Sequence, residues 1–206
     1  MNLIANILIA VVAVLHLGFL ALEMFFWDHP FGRKRFGMTP EYSKASASLA
    51  ANQGLYNGFF AAGLIWGLVA SNISVQIFFL VCVLVAGIYG GLTTRRTILY
   101  IQALPGLLAL IAVYLADKLK QGSSLKDALR DSIADLDGTF SFLVSTKDEI
   151  GYAKDRLAVK PMVKFENDDL IAIASEEVSL NRLFPGTALN TSEPPPGTFE
   201  TWRRSI

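Results

Sequence analysis

Two ionisable residues, His16 and Glu23, sit seven positions apart inside the long apolar stretch of residues 3–27. On a helix that spacing places them nearly on one face. An imidazole and a carboxylate in such a place can exchange a proton, hold a small solute or bond to each other. At membrane depth they are expensive, so they must face protein or water rather than lipid. Further polar side chains stand in the later apolar stretches: Asn52, Gln53 and Asn57, then Gln102. Together with His16 and Glu23 these could line an intramembrane pocket for a proton or a small solute. The plainer alternative is that His16 and Glu23 form an interhelical pair fixing helix packing, with the amides pairing helices in the same way. Glu23 lies near the end of its stretch, where it could also reach the interface. Both readings stand.

Other chemistries find little support. Cys82 is the sole cysteine, which excludes an internal disulfide and a cysteine-based zinc site. A membrane cytochrome with two histidine ligands needs a second intramembrane histidine, and His29 belongs to a loop. The spans contain neither an HExxH nor a GxSxG pattern. No metal and no cofactor is expected. Lys plus Arg equals Asp plus Glu at 18 each, so no overall charge points to nucleic acid.

The elements that must position these residues follow from hydropathy. Up to about Leu115 the chain is dominated by apolar runs; from Asp117 it reads as an ordinary soluble polypeptide. Residues 3–27 are long enough to cross a bilayer, which takes roughly 20 residues. No Lys or Arg precedes Arg33, so a retained span is expected rather than a cleaved signal. Asp28, His29, Pro30 and Gly32 end it, with Trp27 as an interfacial aromatic. Thr39-Pro40-Glu41 reads as a helix start. Second, third and fourth spans are expected at about 46–70, 75–92 and 98–116, the last kinked by Pro105-Gly106. Short loops make this an antiparallel up-and-down bundle of four transmembrane helices over residues 1–120. Ala50, Gly54, Gly58 and Ala62 recur every fourth residue, with Gly63 and Gly67 beside them, a ridge of small residues suited to close helix approach or to a homodimer face.

Basic residues set the expected orientation. The loop after the first span carries Arg33, Lys34, Arg35 and Lys44, and the loop after the third carries Arg95 and Arg96. The loop after the second carries none. The positive-inside rule then places both basic loops in the cytoplasm and both termini outside, in the cell inner membrane. The same loops could contact anionic lipid headgroups.

Residues 121–206 have a different texture. Ser123 or Ser124 could cap an amphipathic helix, SLKDALRDSIADL. Strand-like pieces follow in TFSFLVS, IGYAKD, PMVKF and LIAIAS, then a helical SEEVSLNRL and a last strand near 199–203. This part is a partial α+β, antiparallel β-rich segment. Its roughly 80 residues leave one apolar sheet face without a cover.

Two resemblances attach to these parts. His16, LEMFFW, GRKRFGMTPE and LAANQGLYNGFFAAGLIWGL resemble a bacterial membrane family known as domain of unknown function 1304, which implies four spans and no established activity. LDGTFSFLVSTKDEIGYAKDRLAVKPMV, DDLIAIASEEVSL and PPGTFETW resemble the distal part of a class II glutamine amidotransferase domain of the Ntn type, in its glutamate-synthase-like branch. In that family's R-D-x-x-G-x-x-P-L turn, Lys154 here replaces Arg and Ala158 replaces Gly. Such enzymes use an N-terminal cysteine as nucleophile. This chain begins Met1-Asn2, so no catalytic residue carries over and glutaminase action by the chain alone is not expected. The two parts read as pieces of unrelated genes joined near Leu119–Ser124.

Three functions are therefore expected in order. The first is a membrane bundle whose polar pocket handles a proton or small solute. The second is a non-enzymatic membrane anchor or dimerisation protein. The third is a non-catalytic amidotransferase-like subunit completed in trans by a partner carrying the cysteine half.

Overall fold

The computed structural model describes residues 2–136 and 139–203, and the chain divides into two compact units, Met1–Asp117 and Lys118–Ile206. The first is helical. Helix α1 spans Asn2–Phe25, and a short α2 covers Pro30–Phe36 within the expected loop. Helix α3 runs over Pro40–Val69. It starts where Thr39 and Pro40 predict, the Thr39 hydroxyl accepting from the Tyr42 amide at 3.3 Å. Helix α4, Ile73–Thr93, is capped by Asn72, whose side-chain oxygen accepts from the Val75 amide at 3.1 Å.

A π-helical turn, Leu99–Ala103, leads directly into α5, Leu104–Lys120. Its position has a physical cause. Pro105 lacks an amide hydrogen and its ring would collide with the carbonyl four residues earlier, so the preceding turn widens. The expected kink is thus taken up before the Pro-Gly pair.

Three stretches are long and apolar enough to cross a membrane: Leu3–Phe25, Ile73–Thr93 and Leu99–Lys120. Helix α3 is not one of them, although it is 30 residues long. Asn52, Gln53 and Asn57 together with several glycines dilute its hydropathy. The expected four apolar spans are therefore three, plus one long helix of mixed polarity.

The four long helices share one core. Ile9 and Val12 of α1, Leu64 of α3, Leu80 and Val83 of α4 and Ala109 of α5 are fully or almost fully buried in it. The outward surface is equally apolar: Val14, Val69, Val85 and Leu92 all remain exposed. A unit apolar outside as well as inside is built for lipid contact.

The second unit begins with α6, Leu125–Asp135, where the Ser124 hydroxyl accepts from the Asp127 amide at 3.1 Å. Strands β1 (Ser141–Ser145), β2 (Glu149–Lys154) and β5 (Phe199–Arg203) form one antiparallel sheet in the order β1-β2-β5. Strands β3 (Val163–Glu166) and β4 (Ile171–Ala174) form a separate hairpin, followed by α7, Glu177–Leu183. Helix α6 covers one face of the larger sheet, with Leu129 packed on Gly151. Toward the other face, Tyr152 and Trp202 pack ring to ring at 5.9 Å, and Lys164 of β3 lies 5.3 Å from the Trp202 ring centre. Leu143 and Ile150 on that face stay exposed.

Candidate functional site

The antiparallel pair α1/α3 positions most of the sequence-predicted polar residues, and it does so by small side chains. A Cβ on Gly54 would stand 2.7 Å from Met24 Cγ and 3.2 Å from the Leu20 carbonyl oxygen. One on Gly58 would stand 2.6 Å from Leu20 Cδ1. Ala50 and Gly54 are buried, whereas Ala62 is exposed and Ala61 takes the buried place. The ridge thus drifts by one residue, as a helix of 3.6 residues per turn must. Gly63 and Gly67 face α4 instead, against Phe79 and Gln76.

This close approach brings Glu23 to Asn57. The Asn57 side-chain amide donates to Glu23 Oε2 at 2.8 Å and also reaches the Gln53 carbonyl at 3.3 Å. Glu23 has no ion pair among the described residues. Beside it opens a recess of about 320 Å³ whose walls include Glu23, Trp27, Asp28 and His29.

His16 is elsewhere. It is 1% exposed, with its ring edge-on to Phe19 and Phe60 at 5.6 and 5.8 Å. Nδ1 lies 2.8 Å from the Val12 carbonyl oxygen, which can only accept, so Nδ1 carries the hydrogen. In the neutral ring Nε2 is then an acceptor, and it finds no partner among the described residues. His16 and Glu23 do not bond to each other. Asn52 and Gln53 are exposed, and Gln102 donates to the Val83 carbonyl at 3.3 Å, linking the π-turn to α4. Of the six candidate polar residues, only Glu23 and Asn57 are joined side chain to side chain.

Several polar groups escaped the reading from sequence. The Ser43 hydroxyl donates to Asp28, and Arg33 pairs with the same carboxylate at 3.1 Å. The Ser43 contact, opposed by slight desolvation and aided by Arg33, holds the Asp28 carboxyl below the usual carboxylate range. The Trp27 indole donates to Ser46 at 3.0 Å, and Gln76 donates to the Gly67 carbonyl at 2.9 Å inside the unit. A signal existed: Ser43, Ala47, Ala50 and Gly54 extend the small-residue ridge back to the helix start. The Arg95 guanidinium donates to the Phe36 carbonyl at 3.2 Å, so both basic loops lie at one end of this unit.

In the second unit, Lys154 is 1% exposed and donates to Glu193 at 2.9 Å and to the Pro194 carbonyl at 3.0 Å. Buried Asp155 accepts from the amides of Leu157 and Ala158 at 2.8 and 2.9 Å. Those bonds close a turn in which Ala158 has φ of 50°, the left-handed conformation that glycine adopts without cost.

Comparison with known proteins separates along similar lines. The family described as "Protein of unknown function (DUF1304)" matches residues 10–114. An uncharacterized protein of Lactococcus lactis, YpaA, is 30% identical over 118 residues, covering 55% of this chain and 99% of that protein. A protein of Methanothermobacter thermautotrophicus named "Putative glutamine amidotransferase" is 48% identical over 83 residues, 40% of this chain and 26% of its own. The glutamine amidotransferase-like protein GlxB of Rhizobium meliloti is 37% identical over 91 residues, 44% of this chain and 30% of its own. The chain thus spans under a third of the length of these two relatives. No solved structure matches.

Proposed function

The chain belongs to the family of unknown function DUF1304, and from that premise we propose that it is an integral membrane protein whose α1/α3 pair handles a proton or a small cationic solute at Glu23. The observation that carries this reading is the environment of that carboxylate. It sits in a membrane-length helix, its hydrogen-bond partner is the neutral Asn57 amide, and it borders a recess. A carboxylate that makes no ion pair among the described residues at such a place is stabilised there by taking up a proton or a cation. Trp27 on the recess wall would add an aromatic face for an ammonium group.

In this reading α3 is the fourth span, its polar first half shielded by packing on α1. The bundle lies in the cell inner membrane with both basic loops in the cytoplasm and the termini outside. His16 serves the core of the bundle rather than the site.

The test is covalent. A hydrophobic carbodiimide attacks protonated carboxyl groups in apolar surroundings, so in membranes it should modify Glu23, faster as the pH falls, and not the Glu23→Gln protein. Mass spectrometry showing modification confined to other carboxylates would refute the site.

A second reading rests on the relatives named as amidotransferases. The second unit would act as a non-catalytic amidotransferase-like piece, with exposed Leu143 and Ile150 as part of a face for a partner that carries the cysteine half. Co-purification with a soluble protein bearing an N-terminal cysteine would support it.

A further inference from the structure

We propose that the end of the membrane unit formed by α2 and the turn between α4 and the π-helical segment is a docking surface for anionic phospholipid headgroups. Such a surface rests on the membrane reading above but not on Glu23.

The surface is preformed. Helix α2 is drawn against the end of α1 because buried Gly32 packs on the Phe26 and Trp27 carbonyls, where a Cβ would collide. Its far end is closed by Gly37 at φ of 66° and by the Met38 amide donating to the Arg33 carbonyl at 2.9 Å. The Phe36 ring packs tilted against Trp27, with ring centres 4.9 Å apart. The Arg95 bond to the Phe36 carbonyl then fixes the second basic turn beside the first.

What this frame presents is layered. Lys34, Arg35, Arg95 and Arg96 are exposed, and no ion pair engages them among the described residues, whereas Arg33 is held by Asp28. Beside them Phe26, Phe31 and Leu92 are exposed at 45%, 61% and 77%. Cations next to exposed aromatic and aliphatic groups match the phosphate layer of a lipid above its acyl chains. Charge complementarity therefore selects an anionic lipid over a zwitterionic one.

The experiment uses the full chain in nanodiscs of mixed phosphatidylglycerol and phosphatidylcholine, with retained lipids counted by native mass spectrometry. Wild type should retain phosphatidylglycerol preferentially. K34Q/R35Q and R95Q/R96Q should each lower that preference by roughly 5-fold or more per cation at low salt, while K147Q in the second unit leaves it unchanged. Equal retention of both lipids, or unchanged preference in both double variants, overturns the proposal. Displacement by inorganic phosphate alone overturns it too, since the surface would then read a free anion. If the variants do not fold, the wild-type preference decides: it must fall with added salt, and salt independence contradicts the proposal.

Discussion

Asn57 donates to Glu23 Oε2 at 2.8 Å across the α1/α3 contact, joining residues 34 positions apart. The bond exists because Gly54 and Gly58 let the helix backbones approach, so packing and site chemistry have one origin. Asn57→Ala removes the donor and leaves a carboxyl group with lost pairing. We expect a stability loss of about 1–3 kcal/mol, read by thermal unfolding in detergent.

The ridge itself is testable by size. Gly54→Val places branched atoms where even a Cβ lies 2.7 Å from Met24 Cγ, and should destabilise by about 1–3 kcal/mol. A Cβ at Gly18 would meet nothing within 4 Å, so Gly18→Ala is the control and should be close to neutral. Equal effects of the two substitutions would refute the packing account.

Ala158 carries strain that a glycine in its place would not. Its φ of 50° costs an L-residue roughly 1–2 kcal/mol, partly returned through the lower chain entropy of alanine. Ala158→Gly should therefore stabilise the second unit by up to about 1 kcal/mol. A lower unfolding temperature in the variant would contradict this.

Acid should loosen the second unit. The Asp131 carboxyl is held below its usual range by its hydrogen bond to Lys118, against slight desolvation and with help from Arg130. Glu166 is lowered in the same way by Lys164 and then by the Trp202 indole. A carboxyl whose folded pKa is depressed contributes stability above its unfolded pKa and loses it as pH falls through the folded value. Unfolding temperature should thus drop on acidification below about pH 4, and less steeply in Asp131→Asn/Glu166→Gln.

Much of this was legible in the sequence, for reasons that differ by element. Thr39-Pro40 and Ser124 mark helix starts because their side chains bond amides three residues on, a purely local matter; Asn72 caps α4 in the same way but reads from sequence only as part of a turn. The strands of the second unit were readable from turn chemistry between apolar runs. Helix α3 was harder: its start at Thr39-Pro40 was readable, but of Asn52, Gln53 and Asn57 only Asn57 bonds across to α1 while the other two stay exposed, a difference that only the partner helix decides. The candidate site was half legible. A seven-residue spacing puts His16 and Glu23 near one face, yet two helical turns separate them, and only the partner helix decides what each meets. His16 meets Phe60, and Glu23 meets Asn57. The Asp28, Ser43 and Arg33 cluster depended on the unforeseen helix α2, which no span-counting rule supplies.

The most direct measurement is proton and organic-cation flux into liposomes carrying purified protein, comparing wild type with Glu23→Gln. A His16→Phe protein serves as the comparison, since it fills the same buried space without an unpaired acceptor. Flux above that of empty liposomes is expected for wild type and His16→Phe, and none for a folded Glu23→Gln protein. Flux in Glu23→Gln equal to wild type, or none in wild type, would contradict a role for Glu23 in transport.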